Sequence, residues 1–164
     1  MDETSLQVLK EPGKSPGSKS YMWVTVGYLN NRRVIIFHYH PSRSQKIPLE
    51  LLKTYKGFLQ IDGYGGYNAA SELPDITHVG CVAHARRKFH EATLVSNKVG
   101  AAHVGLSYIQ KIYKLENELR GKDFADDDFV KERKKVVVPI LKEFRAWLQV
   151  KINQSPNWAV SAQF

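Results

Sequence analysis

Apolar residues near the start of the chain fall into three runs of strand-like character: Ser5 to Leu9, Tyr21 to Leu29, and Arg33 to His40. Their wealth of Val, Ile, Tyr, Trp and Phe is that of half-buried β-strands. Their close succession predicts an antiparallel meander. The link from Lys10 to Ser20 is basic and rich in Gly, Pro and Ser, which predicts a mobile surface loop. Asn30-Asn31 supplies the tight turn between the second and third runs, because Asn tolerates positive φ.

The period then changes. Pro48 suits the first turn of a helix, and Leu49, Leu51, Leu52 and Tyr55 give that helix an apolar face that Gly57 is expected to end. Phe58 to Ile61 and Ile76 to Val82 read as two further strands, separated by the Gly-rich segment Asp62 to Asn68 and a short helix. The predicted order is β-β-β-α-β-α-β. From Ala83 to about Asn97 the chain turns helical and basic. Leu106, Ile109, Ile112, Tyr113 and Leu119 then recur at helical spacing as far as Gly121. A last helix is expected to open at Asp126-Asp127-Asp128, whose carboxylates favour a helix N-terminus, and to run to about Val150 with a break or kink at Pro139. These readings divide the chain into an α/β core over residues 1–97, a helical segment over 98–152, and an irregular tail over 153–164.

Composition narrows the setting. A chain of 164 residues with 43% hydrophobic content can bury one ordinary core and is far from the disordered class. Lys and Arg outnumber Asp and Glu by 24 to 16, a formal charge of +8, which favours a polyanionic partner such as nucleic acid. The single cysteine, Cys81, excludes an intramolecular disulfide and fits the reducing cytoplasm. No apolar stretch approaches the roughly 20 residues needed to span a bilayer, so no membrane partner is expected.

Two acidic residues flank strand-like runs: Asp2 just ahead of the first, and Asp62 at the end of the fourth. If those strands are neighbours, both carboxylates converge on one divalent cation, offering the hard oxygen ligands that Mg²⁺ prefers. The plainer alternative makes Asp2 a frayed terminal residue and Asp62 the first residue of an Asp-Gly turn. Position alone leaves both open.

Several strings decide between them. Asp2-Glu-Thr4 followed by Gln7-Val-Leu9, Tyr39-His-Pro-Ser-Arg-Ser44, Leu59-Gln-Ile-Asp-Gly-Tyr-Gly-Gly-Tyr-Asn68 and His78-Val-Gly-Cys-Val-Ala-His-Ala-Arg-Arg-Lys-Phe89 resemble, in order, the insertion-sequence family sixty-six transposases, also called the transposase C type. The resemblance is close over Met1 to Thr93 and loose beyond. It implies a ribonuclease-H-like mixed sheet, three antiparallel strands then parallel ones, with a helical insertion. It also implies DDE chemistry: three carboxylates and Mg²⁺ or Mn²⁺, two ions in the complete enzyme, cut element ends and join them to target DNA. Asp2 and Asp62 match the first and second acids. Such enzymes act as multimers, so a homo-oligomer is a further implication.

The third acid of that family is a Glu in an Asn-rich, Arg-containing motif, and no such string occurs before Phe164. Glu91, Glu116, Glu118, Glu132 and Glu143 lie in helical segments where an exposed Glu is ordinarily solvated. The expectation is therefore a catalytic-core fragment, inactive alone. Val82 stands where the family pattern carries Trp. Arg86, Arg87 and Lys88 are read as contacts to DNA phosphates, or else as a solvated basic face. His84 can donate a charge-assisted bond to a substrate phosphate, and Tyr64, with Tyr67, either faces DNA bases or packs the turn. Three other readings stay open: a non-catalytic DNA-binding remnant, a ribonuclease-H-like nuclease, and a zinc module on Cys81 and His84, which supplies only two of the four ligands a structural zinc needs.

Overall fold

The structure is a computed structural model that describes residues 1–95 and 99–154. The expected irregular tail lies almost wholly outside these residues. The chain forms two compact units, Met1–Cys81 and Val82–Phe164.

The first unit is α/β. Strands β1 (Asp2–Gln7), β2 (Lys19–Leu29) and β3 (Arg32–His40) form an antiparallel sheet in that order. β1 starts three residues earlier than its apolar pattern suggests, because Asp2, Glu3 and Thr4 pair with Val24, Trp23 and Met22. Pairing with a strongly strand-forming partner outweighs the weak propensity of a polar segment. The β2–β3 turn is as expected, with Asn30 and Asn31 at φ 51° and 61°. Helix α1 (Lys46–Leu52) carries Pro48 in its first turn and buries Ile47, Pro48 and Leu52. It ends before Gly57, which at φ 127° opens strand β4 (Gly57–Ile61) instead of closing the helix.

β4 alternates as a half-buried strand should, with Leu59 and Ile61 inside and Phe58 and Gln60 outside. A single 3₁₀ turn over Gly65–Tyr67 and the short helix α2 (Asn68–Ser71) lead to β5 (Ile76–Gly80). β5 pairs with β4 in parallel, and the Cys81 amide extends that ladder by donating to Ile61 O at 2.9 Å. Cys81 is thus half-buried just past β5 and not within it. Among the described residues, the five strands form two sheets, of three and two strands, and not one continuous mixed sheet. Between them, the Met1 nitrogen donates to Gln60 O at 2.8 Å, so the start of β1 lies beside β4. Trp23, Leu52, Leu59, Ile61, Tyr67 and Ile76 anchor the core of this unit.

The second unit is helical: α3 (Val82–Leu94), α4 (Ala101–Arg120) and α5 (Asp126–Gln154). Phe89 of α3 packs directly over Gly105 of α4, where an added Cβ would meet its ring at 2.3 Å. Ile112 and Leu119 of α4 bury against Val137 and Ile140 of α5, at the spacings of an amphipathic helix pair. Tyr108, Phe144 and Trp147 stack alongside them. Of the break or kink expected at Pro139, the break is absent: α5 stays helical through it to Gln154. Val137 and Ile140 flank the proline and are both buried, so packing holds the helix where proline removes one hydrogen bond.

Candidate metal centre

Strand geometry brings Asp2 and Asp62 together. Asp2 is the first residue of β1, and Asp62 follows directly on the last residue of β4. With Met1 bonded to Gln60, the two strand ends lie side by side. Carboxylate oxygens of Asp2 and Asp62, 60 positions apart in sequence, come within 4.8 Å of each other. Asp62 Oδ1 accepts the Tyr64 amide at 3.0 Å, an Asx turn that fixes the side chain, and Asp2 Oδ1 accepts the Glu3 amide at 2.9 Å. The Met1 amine beside them is held below its ordinary pKa by burial, which outweighs the opposing pull of Asp2 and the neighbouring acids. Two hard anionic oxygens this close suit a divalent cation coordinated by oxygen.

Alternation along β1 sends Glu3 to the opposite face from Asp2. Its register partner is Trp23, fully buried, so Glu3 points toward the core on the same face of the sheet. The Glu3 side chain is only 1% exposed and is fully engaged. Arg43 donates to Glu3 Oε1 from Nε at 2.8 Å and also from Nη2, and the Tyr67 hydroxyl donates to Oε2. Burial, and then the bond to Glu3, push the Tyr67 hydroxyl far above the usual phenol range. The Arg43 guanidinium lies 3.6 Å over the Tyr64 ring, and the Tyr64 hydroxyl donates to Arg43 O at 3.0 Å. Gly66 is required here, since a Cβ would sit 2.2 Å from the Tyr64 ring.

Sequence reasoning did not single out Glu3 or Arg43. Both lie inside the motif strings, and a strict two-residue alternation from Asp2 would have put Glu3 on the core side. Tyr64 is occupied on one ring face by Arg43 and meets Tyr67 edge-on.

The remaining predicted residues belong to the helical unit. His84 is half-buried in the first turn of α3, and Arg86, Arg87 and Lys88 follow it on the same helix. Lys88 pairs with Glu91 at 3.3 Å. Ala83, Arg86, Arg87 and His90, at positions i, i+3, i+4 and i+7 of α3, line one cleft of about 440 Å³ with Tyr113 of α4. Of the later acids, Glu116 is committed to Arg133 at 2.6 Å across α4 and α5. Among the described residues, no group of three His, Cys, Asp or Glu ligands includes Cys81.

The sequence matches the family described as Transposase IS66 family over residues 1–162. The chain belongs to the IS66 transposase family. Two curated relatives of this transposase-family chain come from Sinorhizobium fredii and are themselves uncharacterized. Protein y4qI is 27% identical over 161 residues, covering 89% of this chain and 29% of its own length. Protein y4jD is 25% identical over 167 residues, covering 90% of this chain and 30% of its own length. The IS66-family chain thus spans less than a third of the curated relatives it matches. No solved structure is a significant match. No helix among the described residues is long and apolar enough to cross a membrane.

Proposed function

We propose that this chain carries the two-carboxylate half of a DDE-type transposase catalytic core, with a ribonuclease-H-like arrangement of its strands. The observation that carries the reading is the approach of Asp2 and Asp62 to within 4.8 Å from the ends of β1 and β4. Carboxylates placed this way hold Mg²⁺ or Mn²⁺ through oxygen. When bound, such ions activate an attacking oxygen and stabilise a leaving oxygen in an in-line displacement at phosphorus. The work of this chain is to hold and aim the two acids. Asp2 and Asp62 supply two of the three carboxylates that this chemistry uses.

DNA, as element ends and target, is the proposed partner. The Arg86 and Arg87 cleft on α3 offers guanidinium groups to backbone phosphates, with Lys88 and His84 on the same helix adding charge. Tyr64 serves the turn that carries Asp62.

Calorimetric titration with Mn²⁺ tests the metal reading on the full chain, on Asp62→Asn and on Asp2→Ala. Saturable binding that both substitutions abolish is the expected result. Equal binding by all three proteins, or none by the folded wild-type chain, refutes it. A DNA-binding remnant without a metal site predicts that last pattern together with salt-sensitive DNA binding.

A further inference from the structure

Two acids from strands 60 positions apart stay close only if something fixes β1 against the turn after β4. The backbone supplies one tie, from Met1 to Gln60. The side chains supply a closed circuit. Glu3 adjoins Asp2, and its carboxylate accepts from Arg43 on one oxygen and from Tyr67 on the other. Arg43 rests on the Tyr64 ring and receives the Tyr64 hydroxyl on its carbonyl. The Tyr64 amide, in turn, holds Asp62 Oδ1.

We propose that Glu3, Arg43, Tyr64 and Tyr67 form a clamp that sets the separation and aim of Asp2 and Asp62, with Glu3 a positioning residue and not a cation ligand. The inference rests on the reading of Asp2 and Asp62 as cation ligands. A carboxylate 1% exposed is costly unless fully paired, so the circuit has one favourable arrangement and resists partial opening. Both Glu3 oxygens already accept hydrogen bonds, and alternation along β1 puts its side chain on the Trp23 face, opposite Asp2. Arg43 is used as a planar fork that donates edgewise to Glu3 while stacking on Tyr64. Lysine keeps the charge but reproduces neither interaction. Groups that orient metal ligands from behind typically change metal affinity about 10- to 100-fold when altered.

The test compares the full chain with Arg43→Lys, Glu3→Gln and Tyr67→Phe in two measurements. In Mn²⁺ calorimetry, each variant is expected to keep the wild-type stoichiometry with affinity lowered about 10- to 100-fold, Tyr67→Phe at the lower end. In native-state hydrogen exchange without metal, the Tyr64 amide is expected to exchange at least about tenfold faster. The Tyr64 amide should accelerate by more than the amides of the β2–β3 ladder, which report general loss of stability, and equal acceleration of both overturns a local clamp. Wild-type Mn²⁺ affinity in Arg43→Lys and Glu3→Gln, beside lost binding in Asp62→Asn, overturns the clamp while sparing the metal reading. If the wild-type chain binds no Mn²⁺, the metal reading falls, and an unchanged Tyr64 amide in Arg43→Lys overturns the clamp as well. Should Glu3→Gln fail to fold, the two milder variants decide.

Discussion

Removing one hydroxyl from the core of the α/β unit gives a prediction that can be worked in numbers. Tyr67→Phe deletes the bond to Glu3 and leaves the ring, which is fully buried and meets Trp23 at 6.0 Å and Tyr64 at 5.9 Å, both edge-on. Packing is therefore conserved, and the loss is that of a hydrogen bond to a charged group, about 1.5–3 kcal/mol. Arg43 still neutralises Glu3, which places the expected value in the lower half of that range. The pH dependence provides a second signature. The hydroxyl is raised above its ordinary pKa in the folded chain, so its contribution is fully present below the unfolded value of about 10. It is lost as pH rises further, at up to about 1.4 kcal/mol per pH unit. The Phe variant has no such group, so the two stability curves should converge above about pH 10. Because the chain has two units, a single global transition is unsafe. Urea unfolding followed on methyl NMR signals of Leu59 and Ile61 reports on this unit alone. A difference below about 0.5 kcal/mol at neutral pH, with parallel curves into the alkaline range, refutes the reasoning.

Two further predictions concern the helical unit. Gly105→Ala gains about 1 kcal/mol of helix propensity but drives a methyl into the Phe89 ring, at a cost of about 1–3 kcal/mol; net destabilisation is expected in thermal melts, relieved by adding Phe89→Leu. Replacing both Arg86 and Arg87 with Gln should reduce the salt dependence of duplex binding by about 0.9 in slope for each phosphate no longer neutralised; fluorescence anisotropy across a salt series checks this, and an unchanged slope would place DNA elsewhere.

The order of elements through the first unit was readable because its parts carry strong local signals: the Val, Ile, Tyr, Trp and Phe of β2 and β3, proline opening α1, and the Asn pair in the turn. The start of β1 was not, because Asp2 and Glu3 are poor strand formers whose extension depends on β2. The role of Glu3 was hidden for the same reason. Its partners lie 40 and 64 positions away, and a Glu beside an Asp reads locally as solvated. At Pro139 the helix does not break, since the residues that hold α5 through it lie on α4. Asp2 and Asp62 stood out by their place at strand ends, but their convergence needs β1 beside β4, which no local pattern encodes.

Strand β3 pairs with β2 on one edge, and its residues Val34, Ile35, Ile36 and Phe37 are all exposed, at 37%, 44%, 47% and 64%. A strand apolar and open on both faces has no buried side to lose, so sliding by one residue would exchange one set of exposed side chains for another. Burial cannot choose the alignment. The choice falls to the Asn30-Asn31 turn, whose two positive-φ residues join Leu29 directly to Arg32 and count the ladder off from that end. Fidelity of the hairpin thus rests on that turn at one end and on the Tyr39 hydroxyl bonded to Glu11 at the other, and one residue added to the turn would reindex nine cross-strand pairs at little hydrophobic cost.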